Sequence, residues 1–493
     1  MNSSRNIYRQ GRVDFAQLAE VDREFAQYVK ANRQVDFNDP DAVRLNYILW
    51  IQDLLDETSH DLIEGYDPDR KVRGLDIGTG ASCIYPLLGC STRSTWDFVA
   101  TELDETNYEW AQANISRNNF DTRISLIKRA SSNEALLAGV LEGGDLDFTM
   151  CNPPFYTSEA ELLHLAELKA RPPFSACTGG PIEMICTGGE LSFITRIINE
   201  SMLEENKRRI QWFTSMCGKW ESVGRVLEIL KNKGCENVAV REFVNQRYDG
   251  DEEEEGGQRA AGKNQKIGTK RWGVAWSWMD LRPGMDTARN NISSKIHKHL
   301  LPFPSEYLFT RAPADSAQQC HDLQANKRAK LLNSSNLTEP DSTETPSLEE
   351  VFARLKETLE PLDMQLRWSS DDQEKVSVIG WCNGDVWSRK ARRAKKRSDV
   401  DEGIGKAEDI AQLSPRDAKF GVKVVASLTA GENSGEGIQG EIGGAEGSRK
   451  RNLGETQEGQ HKKLEMRIRW LKGADVVLFE SFCGMIKRKI EHN

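Results

Sequence analysis

The chain reads as an α/β protein: a Rossmann-like, mostly parallel sheet, followed by a small α+β domain. Three observations predict this. Short apolar runs alternate with amphipathic helical stretches between about residues 70 and 300, the mark of βαβ units. A turn with two glycines follows the first of those runs, and a second set of alternating runs closes the chain after a polar gap.

The first set is "VRGLDIG", "WDFVATELD", "RISLIK", "LDFTMCNPPF", "RIQWFTSM", "ENVAVREFV" and "RWGVAWSW". Long helical stretches between the early runs require crossovers, so those strands are expected to be parallel. The last two runs flank a polar stretch that begins "DGDEEEE". They are expected to pair antiparallel around a flexible acidic insertion at 249–265.

Four segments follow from this reading. Residues 1–60 are expected to form a basic helical arm, with Phe15, Leu18, Phe25 and Tyr28 at helical spacing and Arg5, Arg9 and Arg12 near its start. Residues 61–300 hold the Rossmann-like sheet. Residues 301–346, rich in Ser, Thr, Asn, Asp and Glu, read as a disordered linker. Residues 347–493 begin with "SLEEVFARLKETLE", where Ser347 and Glu350 have the spacing of a capping box. The runs "MQLRW", "VSVIGW", "GVKVVASL" and "EMRIRWL" then lead to a helix carrying Val477, Phe479, Phe482, Ile486 and Ile490 on one face. Within this domain, 430–463 read as a disordered insertion.

The net charge of −10 argues against a uniformly basic nucleic-acid binder. Bases are nonetheless gathered in the N-terminal arm, in "NKRRI" and in "SRKARRAKKR". Such runs are solvated faces, nuclear import signals or phosphate-binding tracts. No apolar run is long enough to span a bilayer, and "MNSSRNIYRQGR" lacks the apolar centre of a signal peptide. The ten cysteines are scattered, as free thiols of a reducing compartment would be. His164 and His321 stand alone and no His/Cys set has ligand spacing, so no metal is expected. A soluble intracellular protein is the expectation, without a membrane partner.

The chemistry concentrates at the ends of three runs. In "LDIGTGASC", Gly78 and Gly80 allow a tight turn and close approach of a ligand, and Asp76 lies at the strand's carboxyl edge. Glu102 ends the second run, where a carboxylate can bind a ribose diol. A dinucleotide dehydrogenase would share these features, but Ser82 and Cys83 stand where the third glycine of its fingerprint is expected. The discriminating stretch is "CNPPFY". Prolines remove backbone donors and end a ladder. They leave the Asn152 amide and the Pro153 carbonyl as two acceptors at one point, with Pro154 stiffening the turn and Phe155 or Tyr156 as a stacking ring. Two acceptors match the two N–H groups of an exocyclic amine, and the ring matches a base. An amine held this way presents its lone pair to an activated methyl group, with positioning carrying most of the catalysis.

The order of "GLDIGTGASCIYPLLG", "ATELD", "CNPPFY", "TGGELSF" and "RWGVAWSW" closely resembles the methyltransferase-like protein 16 family over about residues 5 to 280. The resemblance implies a class I methyltransferase sheet and an RNA adenine N6-methyltransferase of the nucleus, acting on U6 small nuclear RNA or a similar hairpin. It implies S-adenosylmethionine as cofactor, with Arg44, Asp76, Gly78, Gly80, Glu102 and Asn152 at the cofactor positions and a further contact around Ser132 or Asn133. The tetrapeptide Asn152, Pro153, Pro154 and Phe155 would be catalytic, and Arg5, Arg9, Arg12 and Arg271 would meet RNA. The C-terminal runs resemble the family's accessory RNA-binding domain. Family members carry a further helical segment where Val43 here runs straight into Arg44. Two other readings stay open: a protein glutamine methyltransferase, which typically has Tyr rather than Phe after the second proline, and a catalytically silent RNA-binding scaffold. Trp272, Trp276 and Trp278, on one alternating run, are read as sheet packing ahead of base stacking.

Overall fold

The computed structural model describes residues 40–154, 186, 188–244, 270–289, 300–301, 303–311, 347–372, 375–393, 413–430 and 462–491. The chain divides into two compact units, one of residues 1–59 and 63–303, the other of residues 60–62 and 304–493.

The first unit opens with α1 (Pro40–Glu57), which runs unbroken across the Val43–Arg44 junction. Tyr47, Ile48, Trp50, Ile51, Leu54 and Leu55 are all buried, at the spacing of one broad apolar stripe. This helix is core rather than part of an RNA-binding arm, a difference from the expected boundary at residue 60. Residues 1–39, with Arg5, Arg9 and Arg12, lie outside the described residues, as does the acidic insertion.

Seven strands follow: β1 (Val72–Ile77), β2 (Trp96–Glu102), β3 (Ile124–Lys128), β4 (Leu146–Cys151), β5 (Ile210–Cys217), β6 (Asn237–Val244) and β7 (Lys270–Ser277). They form one sheet in the order β3-β2-β1-β4-β5-β7-β6. β1 to β5 are parallel, and β7 is antiparallel to both β5 and β6, as the closely spaced last runs predicted. Between the strands lie α2 (Ile84–Thr92), α3 (Glu105–Arg117), α4 (Gly189–Ser201), α5 (Glu204–Arg209), α6 (Trp220–Asn232) and, after β7, α7 (Met285–Arg289). Strands covered on both faces read as continuous apolar runs. Accordingly Leu75, Ile77, Phe213, Val274 and Trp276 pack on the face of α4 and α6, while Phe98, Phe148, Met150 and Trp212 pack on the face of α1 and α2. Trp276 is fully buried, and its indole N–H, like that of Trp278, donates to Ser201 Oγ. These two rings are packing.

Strand pairing is tight enough to test. Gly74 of β1 faces Phe148 of β4, and a Cβ on Gly74 would lie 2.4 Å from the Phe148 ring. That ring is locked edge-on against Phe98 and tilted against Trp96. Gly74→Ala is expected to destabilise the protein by about 1–3 kcal/mol through overpacking, read as a lowered denaturant midpoint at unchanged slope.

The second unit contains β8 (Glu306–Arg311), α8 (Leu348–Leu359), β9 (Gln365–Asp372), β10 (Lys375–Cys382), β11 (Phe420–Ala430), β12 (Lys462–Lys472) and α9 (Val476–Glu491). Its sheet runs β8-β12-β11-β10-β9, antiparallel throughout. β8 falls inside the stretch expected to be linker, so that expectation is corrected at 306–311; residues 312–346 lie outside the described residues. The capping box is present: Glu350 N–H donates to Ser347 Oγ at 3.2 Å and Ser347 N–H to Glu350 Oε2 at 3.1 Å. Phe479, Phe482, Ile486 and Ile490 are buried as expected, whereas Val477 is exposed. Residues 431–461, most of the expected insertion, lie outside the described residues. No helix among the described residues is long and apolar enough to cross a membrane.

Candidate active site

The strand order reverses between β1 and β4, and in such sheets ligands enter the crevice beyond the strands' carboxyl ends at that point. Ile77, the last residue of β1, is paired with both Thr101 of β2 and Cys151 of β4. The glycine turn, Glu102 and Asn152 therefore leave neighbouring strands at one level.

The turn is held by short side chains. Thr79 Oγ1 donates to Asp76 Oδ2 at 2.8 Å, Thr79 N–H reaches the Thr101 carbonyl at 2.9 Å, and Gly78 N–H reaches Thr101 Oγ1 at 3.3 Å. Gly78 and Gly80 have φ of 70° and 68°, the left-handed region where a Cβ is strained. A Cβ at Gly78 would have nothing within 4 Å; the turn opens onto free space. Cys83, at the third-glycine position, has φ 49° and stands at the N-cap of α2. Burial pushes the Cys83 thiol up to about 12, which keeps it neutral.

Glu102 is buried, and its carboxylate is the knot of the site. Oε2 accepts Gly80 N–H at 2.8 Å, while Oε1 accepts Leu103 N–H at 2.8 Å and Asp104 N–H at 2.9 Å. A carboxylate has about four lone-pair positions. Three are used to fix the turn to the end of β2, leaving Oε2 free to accept a single further donor. Asp76, also buried, is pushed up to about 7 by desolvation, against the Thr79 hydrogen bond and with the neighbouring Glu102 charge adding to the rise. Two carboxyl groups at this edge give it a preference for cations.

At the end of β4, Cys151 and Pro153 are buried, Pro154 is half-buried and Asn152 is exposed. The Asn152 amide has no hydrogen-bond partner among the described residues. Phe155 and Tyr156 lie outside the described residues. Tyr85, on the first turn of α2, joins the remaining positions. Burial raises its phenol, the charges of Arg44 and Arg271 oppose that rise, and Asp76 and Cys151 add to it. Arg44, exposed on α1, and Arg271, half-buried on β7, thus lie within electrostatic reach of one ring, although far apart in sequence. Ser132 and Asn133 are exposed in the loop after β3. That loop is clasped by Arg129, which donates to Glu134 Oε1, the Ala138 carbonyl and the Leu136 carbonyl, and by Arg196, which donates to the carbonyls of Ser132 and Glu134.

Two residues escaped the sequence reading. Glu190, of "TGGELSF", is buried and accepts Gly218 N–H at 2.6 Å and Lys219 N–H at 3.0 Å, shaping the turn after β5. Tyr47 places its hydroxyl 2.6 Å from Thr214 Oγ1 and accepts Cys151 N–H at 3.4 Å. Its signal was present: three residues after Arg44 on a helix is the same face.

A family model described as RNA methyltransferase matches residues 42–249. The fission yeast Schizosaccharomyces pombe U6 small nuclear RNA (adenine-(43)-N(6))-methyltransferase is 31% identical over 453 residues, covering 91% of this chain and 86% of that protein. The chain belongs to this RNA adenine N6-methyltransferase family. The chicken methyltransferase METTL16 is 35% identical over 316 residues. This chain's match spans about half of that longer relative, 51%, and takes in 56% of this chain. Among solved structures, the hMettl16 catalytic domain in complex with a MAT2A 3′UTR hairpin is 33% identical, with a TM-score of 0.39, covering 56% of this chain and 95% of that one. The N-terminal domain of human METTL16 in complex with SAH is 30% identical, with a TM-score of 0.35, covering 56% and 98%. Arg44, the glycine turn, Glu102 and Asn152 lie within the family match, and Arg271 lies beyond it.

Proposed function

We propose that this chain transfers a methyl group from S-adenosylmethionine to the exocyclic N6 amine of an adenosine in structured RNA, with U6 small nuclear RNA as its substrate, in the nucleus. One observation carries the reading: the exposed Asn152 amide, without a partner among the described residues, leaves β4 beside a cation-preferring cradle at the switch point. The fission yeast relative, named for an adenine of U6, supports the choice of base and RNA. "SRKARRAKKR" supports import into the nucleus.

The residues present fit the cofactor. Open space beside Gly78, a spare lone pair on Glu102 for one ribose hydroxyl, and the Asp76 and Glu102 carboxyl groups suit a net cation with a sugar. When bound, S-adenosylmethionine supplies an electrophilic methyl on a positively charged sulfur. The protein does the rest by holding. Asn152 Oδ1 and the Pro153 carbonyl accept the two amine hydrogens, which draws the nitrogen lone pair out of the base and directs it along one line. No strong base is needed, because the methylated amine becomes acidic and sheds its proton to water. Arg44 stands at a cofactor position, and Arg271 serves as a phosphate partner, a contact that positions RNA without reading its sequence.

Charge gives a pH prediction. The native Asp76 carboxyl holds a proton up to about 7, whereas an unfolded Asp releases it near about 3.9. Stability from this group therefore falls as pH rises across that window. Cofactor binding runs the other way, since a cation favours ionised Asp76. Affinity is expected to rise as pH passes through about 7 and to flatten in Asp76→Asn, as measured by calorimetry across a pH series.

The reading is tested by supplying labelled S-adenosylmethionine with either a U6 hairpin or total protein. Label on adenine N6 supports it. Label on glutamine side chains, or RNA binding with no label at all, overturns it in favour of the protein methyltransferase or the silent scaffold.

A further inference from the structure

The β4–β5 ladder ends at the pair Thr149 and Phe213. Two residues further along β4, Cys151 N–H turns to the Tyr47 hydroxyl, and the residue next to Phe213 on β5, Thr214, bonds that same hydroxyl at 2.6 Å. Both side chains are fully buried. A hydroxyl delivered from α1 thus stands where the two strands part, bonded to each, one peptide before Asn152. The Tyr47 ring also meets Tyr85 edge-on at 5.7 Å, and Tyr85, two residues into the site from the glycine turn's Cys83, donates to Met216 Sδ on β5. One side chain therefore links the strand that carries Asn152 to the helix that follows the cofactor turn.

We propose that Tyr47 and Thr214 form a buried hydroxyl pair that fixes the direction in which Asn152 leaves β4, and so are positioning residues for methyl transfer. The inference rests on the reaction proposed above. Its physical basis is that the end of β4 is laddered on one edge only, Cys151 with Ile77 of β1, so on its β5 edge it can still pivot, and a displacement on the order of 1 Å at a reacting group costs on the order of a hundredfold in rate. The hydroxyl pair replaces the missing β5-side rungs at the last residue before the acceptor amide. Neither residue touches the amine or the cofactor in this role.

Tyr47→Phe removes one oxygen and keeps the ring, so its packing against Trp50, Tyr85 and Phe243 is retained. The expected result is a kcat lowered by about 10- to 100-fold, with KM for RNA and for S-adenosylmethionine within about twofold. Thr214→Val is expected to reproduce this, and Thr214→Ser, which keeps the hydroxyl, to restore most of the rate. The double variant Tyr47→Phe with Thr214→Val is expected to be no slower than Tyr47→Phe alone, because the bond between the two hydroxyls is removed only once. Rates are taken per cofactor-binding site, so that a loss of folded protein does not register as a loss of kcat. An unchanged kcat in Tyr47→Phe, a loss carried by KM, or a Thr214→Ser as slow as Thr214→Val overturns the proposal. If the wild type methylates a glutamine amide instead of adenine, the same comparison on that acceptor decides the pair, and only the adenine reading falls. No transfer to either acceptor overturns both.

Discussion

Asn152→Ala is expected to lower kcat by at least about a hundredfold, the scale of losing a preorganised polar contact at a reacting centre, while cofactor affinity changes by no more than a few-fold. The reasoning begins with the exposure of the amide. Asn152 has no partner to lose among the described residues, so alanine leaves nothing buried and unsatisfied there, and the fold is expected to melt where the wild type does. What disappears is the acceptor that restrains one amine hydrogen. The other acceptor, the Pro153 carbonyl, is main chain and survives in the variant. A single acceptor holds an amine but lets it rotate, and rotation returns the lone pair to the base. Asn152→Asp keeps an acceptor oxygen at the same point, replaces the NH₂ donors with a second oxygen and adds a negative charge. Its rate is expected between wild type and alanine, measured by single-turnover transfer with saturating cofactor. An alanine variant as fast as wild type would remove Asn152 from the chemistry.

Much of this site could be read from the sequence, for a physical reason. Parallel strands buried on both faces are largely apolar, so β1, β2 and β4 show as near-continuous runs, and the residues after them mark the carboxyl edge. Glycines and prolines at those ends report backbone conformation directly, which is why the turn at Gly78 and the stop at Pro153 were legible. β8 was not. "EYLFTR" is a short edge strand whose partner, β12, comes at the far end of the chain, and local composition around it is that of a linker. Nor could a pattern of residue types show that Glu102 spends three of its lone pairs on backbone amides. Tyr47 was hidden in a different way: on an amphipathic helix an aromatic facing the core is read as packing, and the partner of its hydroxyl, Thr214, lies 167 residues away. Side-chain geometry of that kind is set by tertiary contact, while strand ends are set by local chemistry.

The same geometry makes Glu102 the residue whose loss is expected to weaken cofactor binding most. Losing a hydrogen bond between a charged acceptor and a ribose hydroxyl costs about 1.5–3 kcal/mol, or roughly ten- to a hundredfold in Kd. Glu102→Ala adds to this, because Gly80 N–H, Leu103 N–H and Asp104 N–H lose their shared acceptor together. Water entering the vacated space can satisfy them, but it cannot tie the turn to β2. Gly80 would then no longer be held against the strand end, and the cradle loosens before any ligand arrives. Glu102→Gln is the sharper experiment. The two carboxylate oxygens both face backbone donors, so whichever way the new amide turns, its NH₂ is set against an N–H. Turned toward Gly80 it releases the turn; turned toward Leu103 and Asp104 it disrupts the start of α3, whose N-cap is Asp104. An isosteric, uncharged side chain is thus expected to lose at least tenfold in cofactor affinity, and to lower the melting temperature of the free protein as well. Calorimetric titration with S-adenosylmethionine and a thermal scan of the unliganded variant read the two effects separately. A Glu102→Gln protein that binds as tightly as wild type would show that neither the spare lone pair nor the three amide bonds at this carboxylate contributes to the site.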